Sequence, residues 1–344
     1  MDRKDIGSLN LKELETEFKE TGLKAFRAKQ VFEWLTRGAE CFDEMTNLSK
    51  QLRSDLSDKY FIPSVKIKRK FVSKIDGTVK YLFELYDGQL IESVVMKYRH
   101  GYSQCLSTQA GCRMNCSFCA TGKGGFKRNL LPFEMLSQIT AAQKDLGIRI
   151  SNLVLMGMGE PLDNFDNTVK FLKLVTSENG LNIGARHISL STCGIVDRIY
   201  ELMELDMQIT LSISLHAPID GIRSKLMPVN KKWGVDSLMK ACRKYTAKTG
   251  RRISFEYIII DGVNTTDECL YALKKYLSGM IAHINLIPAN PVKGSDSKGT
   301  RETAERFKER LLNEGINATV RRTLGADIEA SCGQLKAEET LPEN

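Results

Sequence analysis

Three cysteines, Cys112, Cys116 and Cys119, fall within eight residues of the stretch GCRMNCSFCATGKGGF, which runs from Gly111 to Phe126. Thiolates at this spacing are metal ligands by type, yet a structural zinc site takes four ligands and an ordinary iron-sulfur cluster four cysteines. A [4Fe-4S] cube held by three thiolates leaves one iron open to a substrate or cofactor. The competing reading is a zinc knuckle completed by a distant Cys or His, with His100 and His187 as candidates. Against zinc, CxxxCxxC lacks the second paired-ligand half of ribbons and fingers. The cysteine loop also follows the first strand of a barrel pattern and not a β-hairpin.

Composition narrows the class. The 344 residues are 42% hydrophobic and 27% charged, the balance of a globular chain able to bury a large core. No apolar run approaches the roughly 18 residues of a membrane span, and MDRKDIGSLN lacks the apolar centre of a signal peptide. A cytoplasmic protein with no membrane partner is expected. Nine cysteines, an odd number in a long chain, favour metal binding and thiol chemistry over a disulfide framework. Lys and Arg outnumber Asp and Glu by 50 to 42, with clusters in KIKRK (66–70), FKR (126–128), Lys231-Lys232, Arg251-Arg252 and Arg321-Arg322. Such clusters suit the phosphates of a nucleic acid, or else form a solvated surface.

The elements that must position these residues are legible as periodicities. Residues 9 to about 60 read as short helices: Asn10 with Glu13 resembles a capping pair, Leu11, Leu14 and Phe18 share a face, and Gly22 closes the segment. VKYLFELYDGQLIESVVMKY then alternates as two strands around an Asp87-Gly88 turn. From Cys105 onward, strands near 104–108, 152–156, 187–191, 209–215, 253–260 and 283–287 alternate with helical segments, and a further strand follows at 317–322. The fold class is therefore α/β, a partial (β/α)6 barrel with a small N-terminal helical accessory domain and a C-terminal tail. Expected boundaries are 1–65 for the helical domain, 66–98 for a strand-forming connector, 99–322 for the core and 323–344 for the tail. Chemistry in such barrels sits at the C-terminal ends of the strands. The cysteine loop, GMGEP (157–161), STCG (191–194), LHAP (215–218) and IPANP (287–291) all fall there.

CRMNCSFC with a later GMGEP resembles the radical S-adenosylmethionine (SAM) superfamily. The resemblance implies one [4Fe-4S] cluster on Cys112, Cys116 and Cys119, with SAM chelating the open iron and cleaved to a 5′-deoxyadenosyl radical. In GMGEP, Gly159 lets the backbone approach a ligand and Glu160 can receive the methionine ammonium. Ser191 and the run Ser214, Leu215 and His216 are candidates for the carboxylate and ribose, and Asn290 for the adenine edge. Each is also an ordinary residue for a strand end or loop.

Cys105 on a strand and Cys332 in the tail segment DIEASCGQL form a candidate pair of working thiols, one rigid and one mobile. Cys105, CxxxCxxC, GMGEP, SLHAP, NLIPAN and DIEASCGQL, with FRAKQVFEWLTRGAECFDEMTNLSKQLR before them, closely resemble the RlmN family of dual-specificity RNA methyltransferases over roughly residues 9 to 335. The resemblance implies methylation of adenine C2 in 23S rRNA and at adenosine 37 of tRNA, with two SAM per product. Cys332 would carry the methyl group as S-methylcysteine and then join RNA through a methylene bridge. Cys105 would release the product through a transient disulfide, and Glu92 would accept the C2 proton. Glu92 also reads as a strand carboxylate paired with a nearby cation. A low-potential electron donor such as flavodoxin or ferredoxin is implied, and a monomer suffices. Pro161, Ala217 and Pro288 favour this family over the related C8-methylating Cfr enzymes. A zinc-stabilised RNA-binding protein without catalysis is the rival from another class, and a radical SAM enzyme acting on a small molecule or peptide is another.

Overall fold

The helical periodicity near the N-terminus and the alternation after it both become the elements they encode. The computed structural model describes residues 3–289, 299–335 and 337. A short parallel pair, β1 (Lys4–Asp5) and β2 (Tyr60–Phe61), brackets three helices, α1 (Leu11–Glu20), α2 (Ala25–Thr36) and α3 (Lys50–Lys59). The Asn10 side chain accepts the Glu13 N–H at 2.9 Å, and the Glu13 carboxylate accepts the Asn10 N–H at 2.8 Å. This reciprocal cap satisfies two donors that would otherwise be orphaned at the helix start. Leu14 and Phe18 of α1 and Val31, Phe32 and Leu35 of α2 are buried in the common core.

The rest of the described chain is organised by one open sheet of ten strands. Antiparallel β3 (Lys66–Val72), β4 (Val79–Glu84) and β5 (Leu90–Tyr98) lead into β6 (Gly101–Cys105). The cysteine loop is closed at its base by β7 (Gln109–Gly111) and β8 (Phe126–Asn129), with α4 (Ala120–Lys123) between them. Then come α5 (Pro132–Leu146), β9 (Ile150–Leu155), α6 (Phe165–Thr176), β10 (Ile188–Thr192), α7 (Val196–Glu204), β11 (Thr210–Ser214), α8 (Asp220–Leu226), α9 (Val235–Thr249), β12 (Ile253–Ile259), α10 (Asp267–Leu277), β13 (Ala282–Pro288), α11 (Arg301–Asn313) and β14 (Ala318–Val320). The strand order is β14-β13-β12-β11-β10-β9-β6-β5-β4-β3. Neighbours from β6 to β14 run parallel, and the two ends of the sheet do not join, so the barrel is partial. Residues 66–98 are hydrogen-bonded into this same sheet, with Val94 opposite Cys105 and Tyr98 opposite Gly101.

One expectation needs correcting. The cysteine loop does lie inside a β-hairpin, because β7 and β8 pair antiparallel from Gln109–Asn129 to Gly111–Phe126. These strands are too short and too polar to show alternation. A side chain at Gly111, where φ is +74°, would collide with the Gly125 carbonyl oxygen, so this crossing needs glycine.

Buried polar contacts lock the sheet to α5 where the site begins. Gln104 Nε2 donates to Ser93 Oγ at 2.9 Å and to the Gln138 carbonyl at 2.9 Å. Gln138 in turn binds the backbone of Ser107 through both its oxygen and its nitrogen, each at 3.0 Å. Arg128 on β8 ties the hairpin down: it pairs with fully buried Glu134 of α5 at 2.7 and 2.8 Å and with Asp87 of the β4–β5 turn at 2.6 Å. Removing one partner of such a pair strands a buried charge. Arg128→Ala is therefore expected to destabilise the protein by about 3 kcal/mol, the low end for such pairs because Arg128 is partly exposed. The measurement is the shift in urea midpoint of the metal-free protein; a shift equal to that of a surface Arg→Ala change would refute the clamp.

Candidate active site

The parallel strands deliver their C-terminal ends to one cleft of about 960 Å³. Cys112, Cys116 and Cys119 line it, and so does Cys332 from the far end of the chain. Burial pushes the Cys112 thiol up to about 12 and raises Cys116 further, helped in both by the charge of neighbouring cysteines. Three soft donors lining one pocket fit a cationic iron-sulfur core, which takes thiolates. The zinc alternative loses its proposed fourth ligands: His100 stacks on Tyr98 with ring centroids 5.2 Å apart, and His187 Nδ1 lies 2.9 Å from Asn152 Oδ1. Among the described residues no three His, Cys, Asp or Glu side chains converge closely enough to hold a single ion.

Gly159, Glu160, Ser191, Ser214 and His216 line the same cleft. Gly159 has φ of +99°, and a Cβ there would lie 2.7 Å from the Gln109 nitrogen, so this loop requires glycine. The buried Glu160 carboxylate accepts N–H groups from Leu162 at 2.9 Å and Cys193 at 2.7 Å. Burial pushes its carboxyl above the ordinary range against the pull of those donors. A carboxylate offers about four lone-pair sites, so room remains for an ammonium. His216 takes a left-handed backbone, φ +55°, held by Asn264 Nδ2 donating to its carbonyl at 2.7 Å. Its Nδ1 accepts the Ile258 N–H at 3.0 Å, which places its proton on Nε2. The ring packs edge-on against Phe118, inside the cysteine loop, at 4.7 Å.

Other expected residues sit differently. The Leu215 side chain is fully buried in the core and does not line the cleft. Asn290 lies outside the described residues. Glu92, on β5, is buried and pairs with buried Lys80 at 3.2 Å, away from the cleft lining. Cys105 ends β6, and its thiol is pushed up to about 12, by burial first and by the charge of Cys332 second. The described part of the tail is docked at two places. Asp327 accepts from Ser73 Oγ at 2.7 Å and the Lys74 N–H at 2.8 Å; the Ala120 N–H donates to the Gly333 carbonyl at 2.8 Å, and Thr121 Oγ1 to that of Leu335 at 2.6 Å. All nine cysteines are free thiols in this structure.

Two charged lining residues have no site role in the sequence reading. Glu256 is the one acid in the apolar strand ISFEYII, a signal that was available. Arg321 looked like half of a basic surface pair, but it lines the cleft, 3.6 Å from Glu256, while Arg322 is exposed.

Comparisons with known proteins agree along the whole chain. The family model described as the radical SAM superfamily matches residues 106–273, and that of the ribosomal RNA large subunit methyltransferase N-terminal domain matches residues 4–62. The "Probable dual-specificity RNA methyltransferase RlmN" of Alkaliphilus oremlandii is 52% identical over 340 residues, covering 98% of each chain. Its counterpart in Alkaliphilus metalliredigens is 50% identical, over 98% of this chain and 96% of its own. This chain belongs to the RlmN family. A crystal structure of a radical SAM methyltransferase from Sphaerobacter thermophilus matches it with a TM-score of 0.92 at 42% identity, covering 97% of this chain and 100% of its own. The superfamily's [4Fe-4S] cluster and SAM are accordingly the cofactors, and the chain is a SAM-dependent RNA methyltransferase.

Two expectations follow. Cys112→Ala, Cys116→Ala and Cys119→Ala, each prepared anaerobically, should fall from about four irons per chain to near none; retention of a full complement in any one excludes that cysteine as a ligand. Burial pushes the His216 imidazole down to about 3, whereas the unfolded chain's imidazole takes a proton near pH 6.5. Its contribution to stability is therefore present above about pH 6.5 and lost as pH falls toward 3. Imidazole NMR shifts should show no His216 titration between about pH 5 and pH 8.

Proposed function

We propose that the protein methylates C2 of adenosine in 23S rRNA and at adenosine 37 of tRNA, with Cys332 as the methyl carrier. The observation that carries this reading is the position of Cys332: it shares the cleft with Cys112, Cys116 and Cys119. When bound, the cluster and two SAM supply the methyl group, an electron and the radical that removes a hydrogen atom from a methyl. Adenine C2 is electron-poor and does not attack a sulfonium methyl, so a protein nucleophile must take the group first.

Cys332 supplies that nucleophile and becomes S-methylcysteine. After hydrogen abstraction its methylene carbon adds to C2, joining protein to RNA. Glu92 takes the C2 proton, exchanging its present contact with Lys80 for it, and the electron given up by the adduct would be accepted by the oxidised cluster. Cys105 then attacks the Cys332 sulfur: an S–S bond forms, the sulfur–methylene bond breaks, and its electron pair is protonated on carbon to complete the methyl group. Burial holds Cys105 as a thiol beforehand.

The target base must leave its stack to reach this depth, as base-modifying enzymes require. Phe26, about half exposed with Arg27 across its ring at 4.7 Å, suits stacking on unpaired RNA. Within KIKRK, Lys70 pairs with Asp145 at 2.6 Å, while Lys66 and Arg69 face solvent for phosphate contacts. A flavodoxin or ferredoxin is the expected electron donor, with the protein acting as a cytoplasmic monomer; among the described residues no helix is long and apolar enough to cross a membrane.

The test is anaerobic turnover with SAM carrying a trideuterated methyl, a reductant and 23S rRNA, read by nucleoside mass spectrometry. The expected product is 2-methyladenosine with one deuterium replaced by hydrogen. 8-Methyladenosine would assign the chain to Cfr-type chemistry, and no methyladenosine from a SAM-cleaving protein would overturn the substrate. Cys332→Ala should keep the cluster and lose all methylation, whereas Cys105→Ala should accumulate a covalent protein–RNA adduct visible on a denaturing gel.

A further inference from the structure

Arg223 on α8 is the bulkiest of the fully buried side chains, and it lies behind the wall of the cleft without lining it. Its guanidinium donates to the carbonyls of Cys193 at 2.6 Å, Ser214 at 3.0 Å and Leu215 at 3.1 Å, and to Asn230 Oδ1 at 2.9 Å. These acceptors are all neutral. Among the described residues no carboxylate lies within ion-pair distance of it; Asp220 is reached through Asn230 Nδ2, 2.8 Å from Asp220 Oδ1. A buried cation without a counter-ion is costly, and carbonyl dipoles offset that cost incompletely.

The missing negative charge has a natural source. The Ser117 N–H, between two of the cluster cysteines, donates to the Leu226 carbonyl at the end of α8 at 2.9 Å, so the cysteine loop sits directly on Arg223's helix. Cys116 and Cys193 lie within electrostatic reach of the guanidinium. Three thiolates leave an oxidised cluster anionic, and reduction adds another negative charge. Glu160 binds the N–H of the same residue, Cys193, whose carbonyl Arg223 holds, so the two buried charges grip one residue through its two flanking peptides. With the Glu160 carboxylate given to the SAM ammonium, the guanidinium is left to face the cluster.

We propose that Arg223 is the buried counter-charge of the cluster, a positioning residue that stabilises the reduced state and holds the Cys193 and Ser214 strand ends around it. The inference rests on Cys112, Cys116 and Cys119 being the cluster ligands. A cation near the cluster favours the added electron, so removing it makes reduction harder.

The experiment is an EPR-monitored redox titration of the reconstituted full chain, in the native form and as Arg223→Gln and Arg223→Lys, with iron content and the melting curve of each metal-free form. Arg223→Gln keeps hydrogen bonding and loses the charge; Arg223→Lys keeps the charge and loses the fork. The expected result is a cluster in all three and a tenfold or larger fall in the reduced fraction at fixed donor potential for Gln, about 59 mV more negative for a one-electron couple, with Lys near native. An unchanged potential in the Gln variant, or equal shifts in Gln and Lys, overturns the counter-charge. Should the Gln variant fail to fold, the exchange Asp220→Asn with Asn230→Asp moves a carboxylate onto the guanidinium. It must give a negative shift smaller than that of the lost charge, and no shift overturns the proposal. A native protein that binds no cluster would overturn the ligand assignment itself, an outcome separated from the others by iron content alone.

Discussion

The site depends on two hydrogen bonds between parts of the chain that are remote in sequence. The Ala120 N–H holds the Gly333 carbonyl and Thr121 Oγ1 holds that of Leu335, so the cysteine loop itself receives the tail beside Cys119. They hold the residues on either side of Gln334, and with them the adjacent Cys332, against the cysteine loop. The opposite end of the tail is anchored by Asp327 on Ser73 and Lys74, in the β3–β4 turn. The antiparallel strands before the barrel thus extend the sheet to where the tail can be caught.

This arrangement reconciles rigidity with motion. Closing a long segment costs little more than closing a moderate one, since loop entropy grows only logarithmically with length. Two anchors of a few hydrogen bonds each can therefore hold Cys332 while remaining weak enough to open, as net contributions of about 1 kcal/mol per bond imply. The expected mobile tail is better described as a tethered one. Cys105 has no such freedom, because it ends a strand paired on both sides, opposite Val94 and Val154.

Much of this was legible in the sequence where residue type and period coincide. The parallel strands were readable because runs such as ISLST and TLSIS sit between helices and end at polar loops; the three cysteines were readable because few arrangements need three thiols in eight residues. The β7–β8 hairpin escaped because three- and four-residue polar strands carry no period. Arg321 and Lys80 were misjudged or missed for another reason. A basic side chain looks the same in sequence whether it faces solvent or a buried carboxylate, and only the register of β12 with β13 and β14, or of β4 with β5, tells them apart.

Electrostatics gives that register its chemical meaning. Alternation places Glu256 on the cleft side of β12, beside Arg321 at the end of β14, and Glu92 opposite Leu82 on β5, next to Lys80 on β4. Both of these buried carboxylates therefore meet a basic side chain, Glu92 from the adjacent strand and Glu256 from across β13. Glu160 differs, since its two oxygens meet backbone N–H groups. A carboxylate neutralised by a fixed cation has little to gain from a cationic ligand, whereas one held by hydrogen-bond donors without a cation gains most from an ammonium that enters later. By the same logic a guanidinium held by carbonyl dipoles keeps its charge for an anion. Cys193 thus carries a carboxylate on its N–H and a guanidinium on its carbonyl, and on the counter-charge proposal that pairing suits a cationic cofactor seated on an anionic cluster.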